Sequence, residues 1–170
     1  MKKVILSIFI VVVISLKVQA QTEKGTWILG GGVNFTSDKN NKSLSVAPMA
    51  GYFVMKDVAV GSLVHYDTKF NKDSYIYFAP SVKYYFLPLG ANAKLFAMGL
   101  AGLGSTKDTY GNKFSFTVWE LSAGSAFFLN KSIALEFSMA YGGTKFKGYD
   151  EQAGFTSRVG FNIHFNKKNK

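Results

Sequence analysis

An all-β fold, eight antiparallel strands in an up-and-down transmembrane barrel behind a cleaved signal peptide, is what this 170-residue sequence predicts. Three observations carry it. After Gln21 apolar and polar residues alternate with a period of two, in runs broken by polar clusters at even spacing, and no helical period shows. The composition is 16% aromatic, with 17 glycines against 3 prolines. The first twenty residues are organised as an export signal. Alternation matters because successive strand side chains face opposite sides, so one face suits lipid and the other water. Aromatics supply lipid-facing surface and interfacial girdles, while glycines let neighbouring strands crowd together.

The signal has Lys2 and Lys3 at its start, an apolar run from Val4 to Leu16, and small residues before a cleavage site after Ala20. Its apolar core is too short to span a bilayer as a helix, and Lys17 interrupts any longer span. The expected organisation is a signal peptide at 1–20, a barrel domain at 21–166 and a short basic tail at 167–170. Cleavage removes three lysines and no acid, which takes the formal net charge from +10 to +7. There is no cysteine, which excludes a lipoprotein anchor, a thiol nucleophile and a disulfide framework. The lysines are scattered over loops and the tail without a basic helix or aromatic-basic motif, so no nucleic-acid partner is expected.

The first strand, about Gly25 to Thr36, sets Trp27, Leu29, Val33 and Phe35 against Gly30, Gly32 and Asn34. Gly30, Gly31 and Gly32 lack the lysine and following helix of a phosphate loop. A polar loop, Ser37 to Ser43, leads to strand two, Leu44 to Val54, which turns tightly at Met55, Lys56 and Asp57. Strand three, Val58 to Thr68, sends Val60, Val64 and Tyr66 out and Ala59, Gly61, His65 and Asp67 in, with Leu63 breaking the dyad. After Lys69 to Ser74, strand four runs from Tyr75 to Phe86 with Lys83 inward. Pro48 and Pro80 fall inside strands, where a bulge would accommodate each.

A turn at Leu87 to Ala93 precedes strand five, Lys94 to Gly104, whose Gly/Ala richness leaves its facing open. The loop Ser105 to Lys113 leads to strand six, Phe114 to Phe128, with Trp119, Leu121 and Phe127 outward and Glu120 inward. Strand seven is the cleanest: Ile133, Leu135, Phe137, Met139 and Tyr141 out, Ala134, Glu136, Ser138, Ala140 and Gly142 in. The loop Gly143 to Gln152 precedes strand eight, Ala153 to Phe165, with Phe155, Val159, Phe161, Ile163 and Phe165 on one face.

Residues 52–60 resemble 127–135, each with aromatics before a short lysine-containing turn, Lys56 and Lys131. Short turns at one end and longer polar loops at the other are the pattern of a membrane barrel, which places both lysines on the periplasmic side. Closure of strand one on strand eight follows, because an unpaired edge in lipid leaves backbone groups without partners.

Arg158, Gly160, Ile163 and Phe165 match the barrel-assembly signal: a polar residue, glycine two further on, a hydrophobic residue and a final aromatic. With the export signal and the aromatic pair before each short turn, residues 25–165 resemble the small eight-stranded OmpA/OmpX-type, porin-like family of the Bacteroidetes kind. Phe165 is not terminal, since five residues follow it. The tail is too short for a peptidoglycan-binding domain. The resemblance implies an outer-membrane location and dependence on barrel-assembly machinery; its motifs identify architecture and hardly any activity.

Lys83, Glu120, Glu136 and Arg158 point inward on this facing. In a barrel of eight strands the interior is only wide enough for side chains, so opposite charges pair across it. Glu136 and Arg158, on adjacent strands, form the favoured pair, with Lys83 and Glu120 as further members, as inward networks in the family imply. His65 and Asp67 share a face, but Ser62 lies on the opposite one and neither it nor Ser138 completes a nucleophile site. No catalytic, metal or cofactor site is expected. Loop residues Tyr110, Phe146 and Tyr149 are the expected surface contacts, and loop lysines suit the phosphates of lipopolysaccharide. The expected function is structural or surface-interacting. The alternatives are a small pore or transporter, and an exported soluble lipocalin-like barrel with the dyad reversed.

Overall fold

The computed structural model describes residues 22–37, 42–69, 74–107 and 112–166. The expected signal peptide with its cleavage site, the expected tail at 167–170 and Tyr110 lie outside them. Eight strands follow in chain order: β1 Thr26–Ser37, β2 Lys42–Met55, β3 Val58–Lys69, β4 Ser74–Pro88, β5 Ala93–Lys107, β6 Lys113–Phe128, β7 Ile133–Phe146 and β8 Gln152–Asn166. Each pairs antiparallel with its neighbours in sequence, and β1 pairs with β8 to close a barrel.

The period-two pattern sets the facing. Large apolar side chains stand on the outside, with Phe155 79%, Leu103 72%, Leu121 65% and Met139 64% exposed. Inside, Ile28, Phe53, Tyr85, Phe96 and Phe128 form an apolar layer toward the short-turn end, and Tyr77, Leu100, Phe116 and Val118 form another toward the opposite end. Ionic side chains are interspersed with these layers, Lys83 and Glu136 beside Tyr85 and Phe96. A lipocalin-like barrel has the reverse arrangement, apolar within and polar without. Leu63, the break in the dyad of β3, packs on the upper layer. The facing of β5 follows from Phe96 and Leu100, which are buried, while Ala97, Ala101 and Leu103 face out.

The strands run further than the alternation predicts, because pairing continues past the apolar band into polar residues, as in Lys107 opposite Lys113. The connections at that end, 38–41, 70–73, 108–112 and 147–151, are therefore only four or five residues long. Those at the other end, 56–57, 89–92 and 129–132, have two to four. The expected contrast between the two ends is correspondingly modest. Asp57 closes the two-residue turn at φ 64°, a left-handed conformation that aspartate tolerates better than most residues.

Neither proline sits at a bulge. Each interrupts one ladder, Pro48 toward β3 and Pro80 toward β5, without changing the register on either side, because proline removes a donor but adds no residue. The register shifts fall at Phe53/Met55 and Tyr85/Leu87, beside the short turns. Gly31, opposite Pro48, has φ 143°, and a Cβ there would stand 2.9 Å from the Pro48 Cα. Only glycine fits that approach.

Candidate functional site

The candidate site is the polar content of the barrel, built from inward positions of β4, β6, β7 and β8. Lys83 on β4 spans the lumen to Glu136 on β7, with Nζ donating to both carboxylate oxygens at 2.5 and 2.6 Å. Tyr85, two residues along the same face, donates its hydroxyl to Glu136 Oε1 at 3.0 Å, and the ammonium sits 4.0 Å from the Phe96 ring centroid. The pair lies within the lower aromatic layer and both partners are buried. A lone charge at such a place would keep its full desolvation penalty, so one cation and one carboxylate are needed together.

Arg158 on β8 makes a second, two-pronged pair with Glu120 on β6. Its Nη1 donates to Oε1 and its Nη2 to Oε2, the latter at 2.6 Å. The expectation of a Glu136–Arg158 pair on adjacent strands is corrected here. Glu136 faces Gly160 in the register and Arg158 faces Ser138, so the two meet only diagonally. The inward side chains of β7 at this level, Ser138, Ala140 and Gly142, are small, and Arg158 extends over them to Glu120, which is opposite Gly142. A Cβ on Gly142 would lie 2.5 Å from the Trp119 carbonyl oxygen and 3.0 Å from the Glu120 Cβ. All four charged residues are thus brought together in two separate pairs.

Toward the long-loop end, the His65 ring stacks on Tyr77 at 4.8 Å and 7°, and Tyr75 stacks on Phe116 at 4.4 Å and 9°. His65 Nε2 lies 3.3 Å from Ser45 Oγ. Among the described residues Ser45 is its side-chain hydrogen-bond partner, and neither Ser62 nor Ser138 is. Among the described residues no group of His, Cys, Asp and Glu is placed to hold a metal ion.

The loop residues divide. Phe146 ends β7 and packs on Phe116 with ring centroids 5.3 Å apart, so it belongs to the upper layer and not to a surface loop. Four more residues of strand than the dyad predicts, Gly143 to Phe146, carry it inward. Tyr149 is 69% exposed in the 147–151 connection. Along β8, Ile163 and Phe165 face outward while Arg158 and Gly160 face the lumen.

One cluster involves residues that the strand alternation does not single out. At the short-turn mouth Lys94 Nζ donates to Asp57 Oδ1 at 2.5 Å and to Thr22 Oγ1 at 2.6 Å, and Thr22 Oγ1 donates to Asp57 Oδ1 at 2.5 Å. The Asp57 amide also reaches the Thr22 carbonyl at 2.8 Å. The segment before β1 is thereby tied across the mouth to the β2–β3 turn and the start of β5. The available signal was the parity of Lys94 with Phe96, which the unread facing of β5 concealed.

These features define a closed eight-stranded barrel with an apolar exterior and an ion-paired interior. The fold is shared with two solved eight-stranded outer-membrane barrels. Neisserial surface protein A matches with a TM-score of 0.64 at 12% identity over 84% of this chain and 98% of that one. The N-terminal β-barrel domain of Pseudomonas aeruginosa OprF matches with a TM-score of 0.61, also at 12% identity over 84% and 98%. No protein-family model and no curated protein matches the chain.

Proposed function

We propose that this chain is a non-enzymatic integral protein of a Gram-negative outer membrane, exported by a signal peptide cleaved after Ala20, with a structural or surface-contact role at its long-loop end. One observation carries the reading: the barrel turns a continuous set of large apolar side chains outward on every strand from β3 to β8 and holds two ion pairs within. That inversion is stable against hydrocarbon and costly in water. Aromatic pairs sit at both edges of the outer band, Trp27 with Tyr52 at one and Tyr141 with Phe155 at the other, as interfacial girdles do. The likeness to outer-membrane barrels supports the same location.

Exposed Lys107, Lys113, Lys145 and Lys147 at the long-loop end suit the phosphates of lipopolysaccharide, and Tyr149 is positioned for contact with a surface partner. Arg158, Gly160, Ile163 and Phe165 serve assembly-machine recognition in this reading. The test is proteolysis and cysteine labelling of intact cells. Tyr149→Cys reacts with an impermeant maleimide from outside, Lys131→Cys does not, and the unboiled protein resists dodecyl sulfate on a gel. A soluble monomer in detergent-free buffer overturns the reading.

The pore alternative keeps one point in its favour, the four charged side chains of the interior. The apolar layers that fill the barrel around them oppose it. Planar bilayers containing the refolded protein are expected to stay silent, and steady unitary currents from wild-type protein would favour the pore.

A further inference from the structure

The rim at the short-turn end is partly apolar. The β4–β5 turn at 89–92 carries no charge, and Leu87 and Leu89 stand exposed beside and within it, as Leu129 does in the β6–β7 turn and Met55 at the end of β2. A turn that faces water is built chiefly from glycine, asparagine, aspartate and serine. Exposed leucines on turns instead match the boundary where acyl chains meet headgroups.

Lysines border the same rim. Lys24 lies three residues before Trp27, Lys56 four after Tyr52, and Lys131 shares its turn with Leu129. All three are exposed. Phe165, Trp27 and Tyr52 stand side by side in one row of the register, and such an aromatic row marks where the apolar band ends. A lysine this close to the band lays its methylenes along it and sets the ammonium among the headgroups.

The charges at this rim do not cancel. Asp57 is held by Lys94, and Glu23 meets Lys56 at 3.5 Å with side chains 61% and 69% exposed. A pair so open to solvent contributes little. Among the described residues no acid pairs with Lys24 or Lys131. In the sequence Lys167, Lys168 and Lys170 follow Asn166, the residue of β8 opposite Thr26.

We propose that this rim is a binding surface for anionic phospholipid, whose phosphates meet Lys24, Lys56 and Lys131 while Leu89 and Leu129 dip into the acyl region beside them. The surface rests on the membrane placement proposed above. A compact ammonium acts on a phosphate as a point charge and asks for no fixed geometry. The preference is therefore for the charge of the lipid and not for one headgroup structure.

The test reads the lipid beside Trp27. The chain has two tryptophans, so in a Trp119→Phe background of the full mature chain only Trp27 fluoresces. Vesicles hold phosphatidylcholine and phosphatidylglycerol in equal amounts, with brominated acyl chains on one lipid or the other. Brominated phosphatidylglycerol is expected to quench Trp27 more strongly, with a relative affinity of about fivefold, the scale of one lysine at an anionic surface. Lys24→Gln/Lys56→Gln/Lys131→Gln brings the two lipids level, whereas a chain ending at Asn166 still prefers phosphatidylglycerol. In a Trp27→Phe background Trp119 reports the opposite end of the barrel, and there the triple variant changes nothing. Equal quenching of Trp27 by both lipids in the parent chain, an undiminished preference in the triple variant, its loss on removing 167–170 alone, or an equal change at Trp119 overturns the surface. Failure of the chain to enter pure phosphatidylcholine vesicles overturns the membrane placement, and the surface with it.

Discussion

Lys83 on β4 and Glu136 on β7 meet across the lumen with the ammonium 2.5 and 2.6 Å from the two carboxylate oxygens, and their side chains are 5% and 9% exposed. Such a pair contributes little net stability but is costly to halve, because the surviving charge has no solvent. Lys83→Met is therefore expected to destabilise the folded barrel by about 3 to 5 kcal/mol. Lys83→Met/Glu136→Leu should recover most of that loss. Urea unfolding from lipid vesicles, followed by tryptophan fluorescence, measures both. Equal losses in the single and double variants would show that Lys83 acts through packing on Phe96 and not through its charge.

The outward face yields a depth-dependent expectation. Met139 stands in the middle of the apolar band of β7, between Phe137 and Tyr141. Met139→Arg should cost about 2 to 4 kcal/mol, the penalty of a cation near the bilayer midplane. Thr117→Arg, on the outward face of β6 near its long-loop end, should cost about 0 to 1 kcal/mol. The same unfolding measurement applies, and indistinguishable costs would remove the hydrocarbon from that face.

How far the sequence reveals this molecule depends on how much each residue's role is local. Facing is local, since period two converts position into side, and for β3, β4, β6 and β7 the described residues stand where the alternation puts them. β5 was illegible because glycine and alanine carry no contrast between faces. Partner choice is not local. That Arg158 passes Glu136 to reach Glu120 depends on strand register and on the smallness of Ser138, Ala140 and Gly142, and neither can be read along one strand. The strand position of Phe146 is hidden for a related reason: where pairing ends is decided by both strands, and polar residues at a strand end resemble a loop.

The cluster at the short-turn mouth supports a further expectation. Asp57 holds its turn at φ 64° and accepts bonds from Lys94 and Thr22. Asp57→Asn keeps tolerance of the left-handed backbone but loses the charge, and Asp57→Ala loses both. Loss of a charged hydrogen-bond partner is worth about 1 to 3 kcal/mol, so Asp57→Asn should fall within that range and Asp57→Ala should cost more. Hydrogen exchange at the Asp57 and Gly25 amides provides the local readout. Unchanged protection in both variants would mean that the tie across the mouth is made by the backbone alone.

Gly142 and Gly154 both face the lumen from neighbouring strands and are opposite one another in the register, yet they make opposite predictions. A Cβ at Gly142 collides with the Trp119 carbonyl and crowds Glu120, whereas one at Gly154 has no heavy atom within 4 Å. Gly142→Ala must move β6 or rotate Glu120 away from Arg158. Overpacking of this kind costs about 1 to 3 kcal/mol. Gly154→Ala should stay within about 0.5 kcal/mol of wild type. If the Gly142 effect acts through the ion pair, it should shrink in an Arg158→Gln/Glu120→Gln background, where no bidentate geometry remains to be disturbed. An undiminished loss would locate the strain in the β6–β7 backbone contact instead, because the Trp119 carbonyl stays in place whatever happens to the charges.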